Sequence, residues 1–220
     1  MTTYDSTTAL VVVDVQNDFA DPAGSLAVAG AGEVLARANL EIGRALQAGA
    51  LVVYTQDWHP SSTPHFAKDG GVWPVHCVAD TWGAEFHPRL RVEGEVVRKG
   101  ISGEDGYSGF TMRDPVSGEE TPTPLEGMLR ERGIRRVVVC GLATDYCVNA
   151  TVLDARRLGF ETVVLVDACA PVNLQPDDGA QALAAMHSAG AELAGESETA
   201  DPVAGEPEAA EPEATEPAGG

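Results

Sequence analysis

The chain is 220 residues long and 44% apolar, with a formal net charge of -20, which suits a single domain able to bury a full core. No apolar run approaches the ~20 residues of a membrane span, and Ala9–Val13 is too short for a secretory signal, so a soluble cytoplasmic protein is expected. The acidic balance argues against nucleic acid as a partner, and the four cysteines (Cys77, Cys140, Cys147, Cys169) lack the CxxC pairs of a zinc ribbon or the pattern of a disulfide scaffold.

Taken in chain order, the patterning predicts strands at Thr8–Asp14, Leu51–Gln56, Val96–Arg98, Arg135–Cys140 and Glu161–Val166, with a short sixth near Ala191–Leu193. Between them it predicts helices at Gly32–Ala48, Pro124–Arg132, Asp145–Leu158 and Asp177–Ser188. Strands that are apolar along their whole length, alternating with helices, point to an α/β fold: an open six-stranded, mostly parallel sheet with helices on both faces. Two stretches interrupt the alternation, Asp57 to Glu95 and Gly100 to Thr123. The first holds all three tryptophans and four of the five histidines, a composition that suggests a functional insert. From Gly195 to Gly220 the chain is rich in Glu, Pro, Ala and Gly and has no basic residue. It is expected to be a disordered acidic tail, leaving residues 1–194 as the folded domain and 195–220 as the extension.

In open parallel sheets ligands sit outside the carboxyl ends of the strands. Asp14, Asp57, Lys99 and the turn Gly141–Asp145 each follow a strand, so all should gather at that edge. The turn delivers Cys147 onto the first turn of a helix, where partial positive charge and free N–H groups lower a thiol's pKa and can hold an oxyanion. Asp14, at the end of a buried strand, is the candidate base and is preferred to Asp18, which reads as a turn stabiliser. Lys99 is one of two lysines against twelve arginines. A compact ammonium there could keep Asp14 ionised or stabilise developing negative charge. Asp57 and His59, two apart in an extended segment, point the same way. With His65 and His76 they form a candidate site for a divalent metal such as zinc, iron or manganese. His87 reads as a turn residue and His187 as a surface residue. Phe19, Trp73 and Tyr107 lie on the converging segments and offer flat walls to a flat ring.

The strings V-D-V-Q-N-D-F (Val13–Phe19), D-W-H (Asp57–His59), H-F (His65–Phe66), W-P-V-H-C (Trp73–Cys77), R-K-G (Arg98–Gly100), Y-S-G-F (Tyr107–Phe110) and G-L-A-T-D-Y-C-V (Gly141–Val148), in this order, resemble the isochorismatase-like cysteine hydrolases, specifically the nicotinamidase (pyrazinamidase) branch. The resemblance runs from about Ala9 to Leu193. It implies a catalytic triad of Asp14, Lys99 and Cys147, and metal ligands Asp57, His59, His65 and His76. It also implies an oxyanion hole from the N–H groups of Ala143 and Cys147, and a cis bond between Leu142 and Ala143. A ring pocket of Phe19, Trp73 and Tyr107, joined by Leu142 and Tyr146, completes the implied set; Tyr146 stands where some relatives carry His. The implied activity converts nicotinamide to nicotinate and ammonia, and pyrazinamide to pyrazinoate, through a Cys147 thioester, as part of NAD salvage. A homo-oligomer is left open. The alternative is another C–N hydrolase of the same superfamily acting on a ureido or carbamoyl substrate, which would have no use for a pyridine-binding metal.

Overall fold

The computed structural model describes residues 2–195. The acidic segment assigned to 195–220 therefore lies, beyond Gly195, outside the described residues. Six strands form one sheet: β1 (Thr8–Val13), β2 (Leu51–Asp57), β3 (Glu95–Lys99), β6 (Arg136–Leu142), β7 (Glu161–Ala170) and β8 (Glu192–Ala194), in the order β3-β2-β1-β6-β7-β8. Every pairing in it is parallel. The helices are α1 (Asn17–Ala20), α2 (Ala31–Gln47), α3 (Leu125–Glu131), α4 (Asn149–Arg157) and α5 (Asp178–Ser188). Among the described residues no helix is long and apolar enough to cross a membrane.

The apolar strands are explained by two cores, one on each face of the sheet. Leu10, Val12, Val138 and Cys140 turn toward α2, packing with Val34, Leu35 and Ile42. Their neighbours Ala9, Val11, Val137 and Val139 turn the other way, onto Leu125 and Leu129 of α3, Val152 of α4 and Met186 of α5. The strand period of two thus sends alternate side chains of β1 and β6 into opposite helical layers, and every residue of β1 is buried.

Four local features differ from the sequence expectation. The insert after β3 contains a small antiparallel hairpin, β4 (Thr111–Arg113) with β5 (Glu120–Pro122), whose strands are too short to show a period. The strand expected to end at Val166 continues to Ala170, and its register against β6 shifts between Val139 and Gly141. Such a shift leaves a residue unpaired and breaks the ladder locally. Gly141 sits there at φ 122, with Val13 O only 2.1 Å from where a Cβ would stand, so the crossing requires glycine. Finally, the helix expected from Asp145 begins as a π-helical turn, Thr144–Val148, before α4. Val148 N–H reaches back five residues to Ala143 O.

Candidate active site

Parallel pairing puts the carboxyl ends of β1, β2, β3 and β6 at one edge. Asp57 and Lys99 are partners in register at the ends of β2 and β3. Val13 pairs with both Thr55 and Gly141, so Asp14, one residue on, stands at the same level. Asp14 takes a left-handed backbone conformation, φ 49, turning the chain out of β1. Lys99 is completely buried, and its ammonium lies 2.7 Å from Asp14 Oδ2 and 2.5 Å from Asp57 Oδ1. Its hydrogen bonds go to Asp57 Oδ1, Gly106 O and the Cys147 sulfur, which uses all three of its N–H groups. Cys147 Sγ lies 3.6 Å from the same nitrogen.

Four oppositely biased groups share this dry space. Burial lifts the Asp14 carboxyl to about 6, against the pull of Lys99; Thr55 Oγ1 donates to its Oδ1 at 2.7 Å. Burial also pushes Asp57 up, but the Lys99 ammonium together with the neighbouring His59 and His76 outweighs it and holds Asp57 well below the usual carboxylate range. For Lys99 burial disfavours the charge, yet Asp14 and Asp57 overcome it and raise its pKa well above the ordinary value. The Cys147 thiol is pushed well above its ordinary value by burial, with Lys99 opposing. This corrects the expectation of a thiol lowered by a helix terminus. Burial in this dry space favours the protonated sulfur at rest.

Next to Asp14, Lys99 and Cys147 stand three imidazoles. Ligand-capable nitrogens of His59, His65 and His76 lie within 4.8 Å of one another, and all three residues are buried. Asp57 Oδ2 lies 3.7 Å from His59 Nε2, so one carboxylate faces Lys99 with one oxygen and the imidazoles with the other. The donor set fits a divalent cation. Both ring nitrogens of His59 are buried without a hydrogen-bond partner, a costly state unless something binds there. His76 bonds Pro74 O through Nδ1 at 2.8 Å and His65 bonds Asp105 Oδ1 through Nδ1 at 2.6 Å, which leaves each Nε2 free as a ligand. Burial drops His76 to about 4, keeping it neutral and able to ligate near neutral pH.

Above the sulfur and the imidazoles opens a cavity of about 460 Å³, solvent at its mouth included. Phe19, Trp73, Tyr107, Leu142, Ala143, Tyr146 and Cys147 line it with Asp57, His65 and His76; Asp14 and Lys99 lie buried beneath. Trp73 Nε1 donates to Tyr107 Oη at 2.7 Å, and Trp73 meets Tyr146 edge-on at 4.8 Å, so the walls brace one another. The Leu142–Ala143 bond is cis. His187 is exposed, whereas His87, read as a turn residue, is buried and lies 3.7 Å from Asp21, outside the imidazole cluster.

Sequence reasoning missed the supports. Gln16 Nε2 donates to Asp57 O and Ala84 O, while its Oε1 accepts from Asp57 N–H. One buried amide thus fixes the end of β2. Asp18, read as a turn stabiliser, does accept from Ser25 N–H in its own loop at 3.1 Å, but it also accepts from Cys77 N–H at 2.7 Å, an unforeseen tie of the histidine-bearing insert to the first loop. Asp105, Thr55 and the pocket residues Leu26, Val28 and Val172 also escaped. Their partners lie tens of residues away, and no local pattern marks them. Gln16 and Asp18 at least stand inside a motif.

The model of the isochorismatase domain matches residues 8–198. A nicotinamidase/pyrazinamidase of Mycobacterium tuberculosis is 42% identical over 191 residues, covering 84% of this chain and 97% of its own. Among solved structures, a Pyrococcus horikoshii pyrazinamidase in complex with zinc matches with a TM-score of 0.75 and 40% identity, covering 85% of this chain and 98% of that one. PnC1 from L. infantum in complex with nicotinate gives 0.78 and 37%, covering 87% and 94%. With its parallel sheet, its edge-gathered side chains and these relatives, the chain belongs to the isochorismatase domain family.

Proposed function

We propose that this protein hydrolyses nicotinamide to nicotinate and ammonia, and pyrazinamide to pyrazinoate, through a thioester on Cys147. The observation that carries the reading is one constellation: a buried ammonium contacting Asp14, Asp57 and the Cys147 sulfur, beside three buried imidazoles and under an aromatic pocket. A flat aromatic amide fits between Phe19, Trp73 and Tyr107, its carboxamide toward Cys147. Asp14 accepts the thiol proton as Sγ bonds to the amide carbon. The N–H groups of Ala143 and Cys147 are our candidates for holding the oxyanion. Asp14 then gives its proton to the departing nitrogen, the C–N bond breaks and ammonia leaves. Water adds to the thioester with its proton passing to Asp14; the C–S bond breaks, the acid is released and sulfur regains a proton. Lys99 keeps the local charge balanced throughout. A zinc, iron or manganese ion held by Asp57, His59, His65 and His76 would supply a Lewis-acid contact for the ring nitrogen of the substrate.

In this reading residues 1–194 form the catalytic unit of a cytoplasmic enzyme serving pyridine nucleotide salvage. The test is ammonia release from a panel of aromatic, ureido and carbamoyl amides, with metal analysis of the same sample. Nicotinamide turnover abolished by Cys147→Ala, with metal content retained, supports the reading. Turnover of ureido or carbamoyl amides alone, or substantial activity in Cys147→Ala, overturns it.

A further inference from the structure

The three imidazoles are not held alike. His76 leans on a neutral backbone carbonyl, Pro74 O. His59 has no hydrogen-bond partner at either nitrogen and packs against Gly100, where a Cβ would come within 2.6 Å of its Nδ1. His65 alone of the three has a carboxylate on Nδ1, Asp105 Oδ1 at 2.6 Å. The His65 side chain is 4% exposed and that of Asp105 16%, so the contact is well shielded from screening.

Asp105 is also fixed from behind. Its N–H donates to Arg113 O at 2.7 Å, and its carbonyl accepts from Arg113 N–H at 3.1 Å, which pins it to β4. A second link runs beside it: Thr63 Oγ1 donates to Gly103 O at 2.6 Å and accepts from His65 N–H at 3.2 Å. The segments carrying His65 and Asp105, forty residues apart, are thus joined at two points. A carboxylate on the N–H of an imidazole fixes the tautomer and ring orientation and makes the other nitrogen a stronger ligand.

We propose that Asp105 is a positioning residue for the metal site: it holds His65 with Nε2 turned to the cluster, and its charge tightens the binding of a divalent cation. The inference rests on the metal reading above and extends it to a residue outside the ligand set. Zinc affinity of the metal-free full-length protein, measured by competition with a chelating dye, tests it without reference to turnover. Asp105→Ala is expected to weaken zinc binding about 10- to 100-fold. Asp105→Asn, whose carbonyl can still accept from Nδ1–H but carries no charge, should lose less, at least about threefold. Glu104→Ala, removing the adjacent carboxylate bonded to Ser102 N–H, should stay within about twofold. Asp105→Ala within about twofold of the wild type overturns the proposal, as does an equal loss in Glu104→Ala, which would trace the effect to general charge. If Asp105→Ala does not fold, judged by far-UV circular dichroism, Asp105→Asn decides: a loss under about threefold overturns. A wild type that takes up no zinc would remove the metal reading itself, an outcome distinct from intact binding that ignores Asp105.

Discussion

Replacing Lys99 by Met tests the electrostatic centre of the site. The substitution keeps the length of the buried stem and removes a charge that contacts Asp14 at 2.7 Å and Asp57 at 2.5 Å. Breaking a buried ion pair by deleting one partner costs about 3–5 kcal/mol, and here one ammonium serves two carboxylates. Lys99 helps to lower Asp57 and restrains Asp14 at about 6, so without it both carboxyls move up and bind protons more readily in the native state. A carboxyl protonated when folded and ionised when unfolded gains stability as pH falls, by about 1.4 kcal/mol per pH unit. The deficit should therefore be largest at pH 7 and shrink toward pH 5, by about 1.4 kcal/mol for Asp14, which the wild type itself protonates below about 6, and by more for any further proton that Asp57 takes up. Urea unfolding of metal-free protein at the two pH values measures it, and turnover should fall by at least about 100-fold because the charge also faces Sγ. A variant within about 1 kcal/mol of the wild type at pH 7, or a deficit that grows toward pH 5, would refute this account of the ammonium.

Two further substitutions probe the base and the imidazole shelf. Asp14 must be ionised to take a proton, so kcat/KM should fall as pH drops through about 6. Thr55→Val deletes the hydrogen bond that lowers this pKa, so the acid limb should move upward in a pH–rate profile; an unmoved or lowered limb counts against Asp14 as base. At Gly100, φ is +70 and a Cβ would stand 2.5 Å from His59 Cε1. Gly100→Ala should cost about 1–3 kcal/mol in thermal or urea unfolding and reduce metal content together with stability. A variant of unchanged metal content would show that His59 is free to move aside.

What could be read beforehand follows from range of interaction. The alternation of apolar strands with helices is a local pattern, and it placed six strands and four helices within a few residues of their bounds because burial on both faces forces it. Asp14, Asp57, Lys99 and Cys147 were legible for a related reason: each follows a strand, and parallel strands end at one edge. Asp105 was not legible. It meets His65 across forty residues of insert, and both lie in loops without a period. Gln16 likewise sits in a motif, yet nothing local says that its amide will take three backbone partners. The π turn at Thr144–Val148 escaped because its pattern of apolar residues is nearly that of an α-helix; the difference lies in which carbonyl Val148 reaches.

Burial changes the chemistry expected of Cys147. A cysteine at an open α-helical start is held as thiolate and reacts with any electrophile it meets. Cys147 instead lines its pocket at 8% exposure, with burial raising its pKa and Lys99 only partly opposing. Asp14 Oδ2 contacts the ammonium but makes no directed hydrogen bond, which leaves it available for a proton. In the proposed mechanism sulfur and carboxylate work as a pair: the proton moves when a carbonyl arrives and not before. Alkylation by iodoacetamide, followed at the Cys147 peptide by mass spectrometry, separates the two cases. Its rate should climb steadily with pH past 8 in the absence of substrate, since the thiolate fraction keeps growing. A rate that levels off at pH 6–7 would mean a preformed thiolate, and Asp14 would then lose its role in the first proton transfer while keeping the later ones.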